Sequence, residues 1–260
     1  MVISTILDFV FPPPPSVFTT AMSVVSVAML AYLGLLEARG VHLQYSKFSL
    51  APNKKVQSRT GMLLLYSPAF LAGLASFLIF PDGGLRFLIL RSAISLHFFK
   101  RILEVLFIHK FSGGMGVGSM VVISLIYFLS TATSIYSQHL SEGLPEPPVD
   151  LLYPGIALFL IGIASNSYHH ILLSKLRKEG EREYKIPKGG LFGWVICPHY
   201  LFEVIAFVGI SFISQSVYSC SCSLAIFFYL LGRSYATRRW YTSKFEDFPE
   251  DVKALIPYIF

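Results

Sequence analysis

Apolar runs about twenty residues long, divided by short polar stretches, set the first expectation for this chain. A helix rising about 1.5 Å per residue needs about 20 apolar residues to cross a bilayer's hydrocarbon. Seven runs approach that length: 17–36, 61–80, 85–108, 117–136, 151–173, 191–217 and 222–235. The last is too short to span unless its polar end lies inside protein. Between the runs lie a basic linker, 37–59, a Pro81-Asp82-Gly83-Gly84 turn signal, and a Pro-rich loop carrying Glu142, Glu146 and Asp150. The stretch Gly113-Gly114-Met115-Gly116-Val117-Gly118 follows no strand, so it reads as a flexible loop rather than a dinucleotide-binding turn.

Composition agrees with the pattern. With 54% hydrophobic and 14% charged residues in 260, the chain carries more apolar surface than one soluble core covers. It reads as an all-α integral membrane protein, a single domain of seven transmembrane helices over 1–260. The net charge of +6 lies between the spans rather than on one soluble face, which argues against a nucleic-acid partner. Of the 21 Lys and Arg residues, nineteen fall on one side of the seven-span arrangement and only Arg86 and Arg91 on the other. Since cytoplasmic loops hold the basic excess, the N-terminus is expected outside and the C-terminus in the cytosol. Pro12 to Pro15 interrupt the first apolar patch and no basic region precedes it, so a cleaved signal peptide is not expected. Cys197, Cys220 and Cys222 sit in apolar surroundings and read as buried small residues, not as a disulfide framework or zinc site.

Ionisable residues inside spans are costly, so each one points to function. Their spacing forms helical stripes: His97, Arg101 and Glu104; Asn166, His170, Ser174 and Arg177; His199 and Glu203; Arg233, Thr237 and Tyr241. For Lys100, Arg101 and Arg233, snorkelling to the interface is the competing reading. His97, Asn166 and Glu203 have no long stem to reach water. Four stripes at one end of the bundle, next to the basic loop from Lys175 to Lys188, predict a positively charged cavity. Guanidinium groups grip phosphate and aromatic faces stack on bases, so the ligand expected is a nucleotide cofactor or a coenzyme A ester. His169 and His170, adjacent on a helix, point to different faces, so no metal is expected there.

The run Tyr184-Lys-Ile-Pro-Lys-Gly-Gly-Leu-Phe192, then Cys197-Pro-His-Tyr-Leu-Phe-Glu203, and Trp240-Tyr241 with Lys244-Phe-Glu-Asp-Phe-Pro249 and the terminal Lys253-Ala-Leu-Ile-Pro-Tyr-Ile-Phe260 resemble the steroid 5-alpha-reductase family, its plant members above all. The resemblance is specific over 97–260 and looser before it. It implies a seven-span enzyme of the endoplasmic reticulum membrane that uses NADPH to reduce a C=C bond conjugated to a carbonyl in a lipid or steroid. By position it implies cofactor binding by Arg101, Asn166, Arg177, Tyr184, Glu203, Arg233 and Tyr241. Lys100, Arg101 and Glu104 form a Lys-Arg-x-x-Glu box similar to the very-long-chain enoyl-CoA reductase branch, as does His170, and His199 stands where the family has Asn. The steroid enzymes' Glu and Tyr, which hold the substrate carbonyl, are absent: Tyr66 and Phe98 occupy those places. Tyr66 is therefore the expected replacement donor, with His97 or water as the second. A trans-2-enoyl-CoA or polyprenal substrate is the rival within enzymes, and a catalytically silent lipid- or cofactor-binding protein the rival outside them.

Overall fold

The computed structural model describes residues 8–12, 16–49, 55–111, 113–176 and 183–260. They form seven α-helices: α1 (Val17–Ala38), α2 (Ser58–Ile79), α3 (Leu85–Leu103), α4 (Val117–Leu140), α5 (Leu152–Lys175), α6 (Pro198–Ser214) and α7 (Val217–Lys244). Five of these, α1, α2, α4, α5 and α7, are long and apolar enough to cross a membrane, so the chain is an all-α membrane protein. The other two miss for physical reasons. α3 carries Arg86, Arg91, Lys100 and Arg101, and α6 has 17 residues.

The last two helices correct the sequence expectation. Residues 190–193 form a separate 3-10 turn, so α6 starts later, at Pro198, a residue suited to a first turn because its missing N–H is not needed there. α7 is the longest helix, at 28 residues, because its polar second half, including Arg233, Ser234, Thr237 and Tyr241, is buried against other helices. A second correction concerns the glycine run. Gly114–Gly116 (β2) pairs antiparallel with Lys55–Gln57 (β1), tying the entry of α2 to that of α4.

Small residues bring the helices together, as expected where lipid supplies no hydrophobic drive for association. α5 runs along α6 with Gly155 and Gly162 against Gly209 and Ala206; a Cβ on Gly155 would lie 2.6 Å from the Ile213 amide. α1 runs along α7 with Gly34 against Gly232, where a side chain on either would fall on the other helix's backbone. That contact places Glu37, one turn beyond Gly34, beside Arg233.

At the end of the bundle holding the α3 N-terminus, Gln215 acts as a connector. Its backbone is left-handed (φ 48°), and its side chain donates to the Phe9 and Val149 carbonyls at 2.7 and 2.9 Å. The same side chain accepts from Leu151 N–H at 2.8 Å and from Arg86 at 3.0 Å. Arg86 also reaches Asp150 at 2.7 Å. The Leu152 N–H, followed by Arg86, holds the Asp150 carboxyl below its usual range.

Candidate active site

The opposite end is organised by Arg101. α3 passes into a single π turn, Glu104–Ile108, closed by His109 N–H on the Glu104 carbonyl at 2.8 Å. Such turns recur at functional sites because they re-aim side chains. Here Glu104 is buried and lies 2.7 Å from Arg101, 3.0 Å from Lys100 and 2.9 Å from His170 on α5. Arg101 also donates to the Tyr66 hydroxyl on α2 at 2.6 Å. Burial, with Arg101 close by, pushes the His109 imidazole down to about 3, so it is neutral at pH 7.

Arg233 is held differently. One of its nitrogens lies 2.7 and 2.8 Å from the two Glu37 oxygens, and its guanidinium sits over the Tyr45 and Phe48 rings at 4.1 and 4.3 Å. Glu37 accepts further from Leu43 N–H at 3.0 Å and contacts His42 Nδ1 at 2.6 Å.

Between these two arginines lies a cavity of about 480 Å³. Cationic side chains (Arg101, Arg233, Lys47, Lys110 and Lys185) and aromatic ones (Tyr45, Tyr184, Tyr200 and Tyr241) face it, with His109, His170 and His199. Arg101 Nε and His199 Nδ1 are buried with no hydrogen-bond partner among the described residues. Buried polar atoms of this kind are ordinarily satisfied, so their openness points to a missing ligand.

A second, much narrower cavity, of about 60 Å³, lies among α1, α3, α4, α6 and α7. Its wall is mostly apolar, with Leu30, Ile94, Phe98, Ile126, Phe207 and Ile210, but His97 and Glu203 also face it. His97 Nδ1 is buried without a partner, and the Glu203 carboxyl has no hydrogen bond or ion pair to a described residue. Three packed rings stand where the two cavities meet. Tyr66 faces the polar cavity, Phe98 and Tyr127 face the apolar one, and Tyr127 lies 5.7 Å from Tyr66 and 5.4 Å from Phe98 between ring centroids.

A polar cavity lined by cationic side chains, sharing an aromatic wall with an apolar chamber, has the form of a site for a charged cofactor and a lipid. Comparison with known proteins gives the same direction. A family model described as 3-oxo-5-alpha-steroid 4-dehydrogenase matches residues 119–260, more than half of the chain. The chain belongs to this family. The rat 3-oxo-5-alpha-steroid 4-dehydrogenase 1 is 28% identical over 239 residues, 88% of this chain and 91% of the rat protein. The very-long-chain enoyl-CoA reductase of Dictyostelium discoideum is 34% identical over 174 residues, 64% of this chain and 55% of that protein. The bovine 3-oxo-5-alpha-steroid 4-dehydrogenase 1 is 35% identical over 133 residues, 51% of each chain. Against the last two, the chain spans about half of the relative's length.

The family match covers α5, α6 and α7 with nearly all of α4, whereas Tyr66, His97 and Arg101 come from the part before it. Of the candidates named from the sequence, Arg101, His170, Tyr184, His199, Arg233 and Tyr241 line the polar cavity together with Tyr66. His97 and Glu203 line the apolar chamber instead. Lys100 and Asn166 face neither: they bond to each other, and Asn166 donates to the His199 carbonyl at 2.7 Å. Arg177 lies outside the described residues, as do Lys178 and Arg182.

Glu104, His109 and His170 bring ligand atoms within 4.8 Å of one another, the spacing of a metal site. Arg101 occupies the Glu104 oxygen that a cation would need, and its positive charge opposes a second one there. His169 turns away from this cluster, donating to the Ser165 carbonyl at 2.7 Å and accepting from Leu191 N–H at 3.1 Å.

Sequence reasoning missed Glu37, Tyr45, Lys47, Tyr127 and Tyr200. Glu37 carried a usable signal, being the one acid at the end of an otherwise uncharged apolar run. The aromatic residues carried none, since phenylalanine and tyrosine are common throughout the chain.

Proposed function

We propose that this protein is an NADPH-dependent reductase of a C=C bond conjugated to a carbonyl in a lipid, with the cofactor in the polar cavity and the lipid in the apolar chamber. The observation that carries the reading is that a cationic cavity adjoins an apolar one beside the Tyr66, Phe98 and Tyr127 rings. The donor set of the polar cavity fits a dinucleotide: guanidinium and lysine groups for phosphates and tyrosine faces for the rings. When bound, NADPH supplies the hydride that the reduction consumes.

The protein's own residues orient and polarise. Reduction places negative charge on the substrate's carbonyl oxygen, so a hydrogen-bond donor must stand there. Tyr66 accepts from Arg101, which fixes the oxygen and leaves the phenolic proton to donate elsewhere. His97, which lines the chamber and has an Nδ1 with no partner among the described residues, is the second donor. Arg101, His199, Tyr184 and Tyr241 hold the cofactor, Arg233 braces the wall of the cavity they share, and His170 and Glu104 fix the position of Arg101. Arg177 belongs to the same phosphate-binding set.

In this reading all seven helices cross the endoplasmic reticulum membrane, with the N-terminus lumenal and the polar cavity and C-terminus cytosolic. α3 spans although hydropathy alone does not select it, because Arg86, Arg91, Lys100 and Arg101 bond to protein partners rather than face lipid, and α6 spans although it has 17 residues. The likeness to an enoyl-CoA reductase favours a second substrate, a trans-2-enoyl-CoA, whose phosphates the same basic cavity would receive.

Purified protein in lipid, given NADPH with an enone steroid, a trans-2-enoyl-CoA or a polyprenal, decides between them. Consumption with the steroid supports the leading reading, and consumption with the thioester alone supports the second. NADPH binding without consumption of any would overturn both in favour of a silent binding protein.

A further inference from the structure

Phe98 lines the apolar chamber, and the phenol that meets its ring there is Tyr127. We propose that Tyr127 of α4 donates the hydrogen bond that holds the substrate's carbonyl oxygen in the apolar chamber, Tyr66 being the support behind it. The proposal rests on the reductase reading above and moves the contact to the carbonyl oxygen from Tyr66 to Tyr127.

Three observations separate the two tyrosines. Tyr66 is buried, faces the polar cavity, and its oxygen is occupied by Arg101 at 2.6 Å. Tyr127 faces the apolar chamber and its hydroxyl makes no hydrogen bond to any described residue. A half-buried phenol without a partner in an apolar cavity is an unmet polar group, which a ligand's oxygen would satisfy. Third, the Tyr127 ring meets Phe98 edge-on at 5.4 Å and stacks on Tyr66 at 5.7 Å, which fixes its plane. A held ring costs little further entropy when its hydroxyl binds. His97 of α3 and Glu203 of α6 face the same chamber, so an oxygen bonded to Tyr127 shares it with the titratable groups that those two helices direct there.

The chemistry balances as follows. A hydride, which a bound nicotinamide would supply, would form a C–H bond at the β-carbon, the electron pair of the C=C bond moving to give an enolate with its charge on the oxygen. Tyr127 donates a hydrogen bond to that oxygen throughout. A proton from water then bonds to the α-carbon as the enolate returns to a ketone, giving a saturated carbonyl compound from enone, hydride and proton.

Tyr127→Phe removes one oxygen atom and leaves the ring stack in place. Loss of one such donor lowers turnover by about 100-fold. Adding Phe98→Tyr to Tyr127→Phe returns a phenol to the opposite face and is expected to recover at least a tenth of the wild-type rate. A second measurement does not depend on turnover. The carbonyl stretch of a carbon-13-labelled saturated ketosteroid, bound to the protein in lipid vesicles, is expected to shift to lower frequency in wild type and in Tyr66→Phe, and to lose that shift in Tyr127→Phe. A shift equal in wild type and Tyr127→Phe, or no ketone binding by wild type, would overturn the proposal. A shift that vanishes in Tyr127→Phe, in a protein that reduces no enone, would support this site and overturn the reductase reading alone.

Discussion

Arg233 and Arg101 both line the polar cavity, yet their surroundings give them different work. Arg233 is the more heavily braced. Both Glu37 oxygens, the Leu43 and Tyr45 carbonyls and two aromatic faces surround it, joining α1, α7 and the loop between α1 and α2. Arg101 touches Glu104, Tyr66 and His170 but keeps Nε open. In the reading proposed above, the first arginine holds the cavity's shape and the second holds what enters it. A buried charge is therefore not by itself a ligand site; the number of its bonds left unmade decides.

The comparison is easiest to break at the clamp. Replacing Glu37 with Ala, or Arg233 with Met, leaves the partner's charge buried and alone, and is expected to cost about 3–5 kcal/mol of stability. Thermal unfolding in detergent measures this, and joint replacement of both by Met is expected to return most of the loss. At the hub the effect falls on binding. Arg101→Met is expected to weaken NADPH by roughly tenfold to a hundredfold, the worth of a charge-assisted hydrogen bond, with a smaller change in unfolding temperature than the clamp variants. Calorimetric titration checks it. Equal destabilisation by Arg101→Met and Arg233→Met would erase the distinction.

A smaller effect is expected one bond further out. Tyr66→Phe removes the hydroxyl that Arg101 holds, and its turnover is expected to fall about tenfold, below the loss for Tyr127→Phe. Unchanged turnover would remove Tyr66 from the site. The smallest effect lies at the far end, at a third arginine. Asp150 is about half exposed beside Arg86, so Asp150→Asn is expected to cost less than about 1 kcal/mol. Its carboxyl is held below the ordinary value, so this stability is present above that value, near pH 4, and is lost as pH falls through the lower folded-state one. Unfolding followed between pH 2 and 6 (about the range set by that group) is expected to show a shallower acid decline in Asp150→Asn.

The helices were legible because each is a long apolar run, and the stripes because helical spacing aligns His97 with Arg101 and His199 with Glu203. The end of α7 was not. Its second half carries Arg233, Thr237 and Tyr241, and hydropathy reads such a segment as having left the membrane although the fold buries it. Glu37 was assigned to a polar linker for the same reason, since its partner is 196 residues away. Sequence spacing also cannot divide residues between two cavities. His97 and Arg101 are one turn apart on α3, yet the first faces the apolar chamber and the second the polar cavity. Only the packing of α2 and α4 against α3, which sets the Tyr66, Phe98 and Tyr127 rings between them, makes that division.

The central claim is that the polar cavity holds a nicotinamide cofactor through the bonds Arg101 leaves open. Titrating NADPH into wild-type protein and Arg101→Met in lipid nanodiscs tests it most directly. Saturable binding of one cofactor per chain, weakened at least tenfold in the variant, is the result predicted from the charge-assisted bond. No saturable binding, or equal affinity in the two proteins, would contradict it.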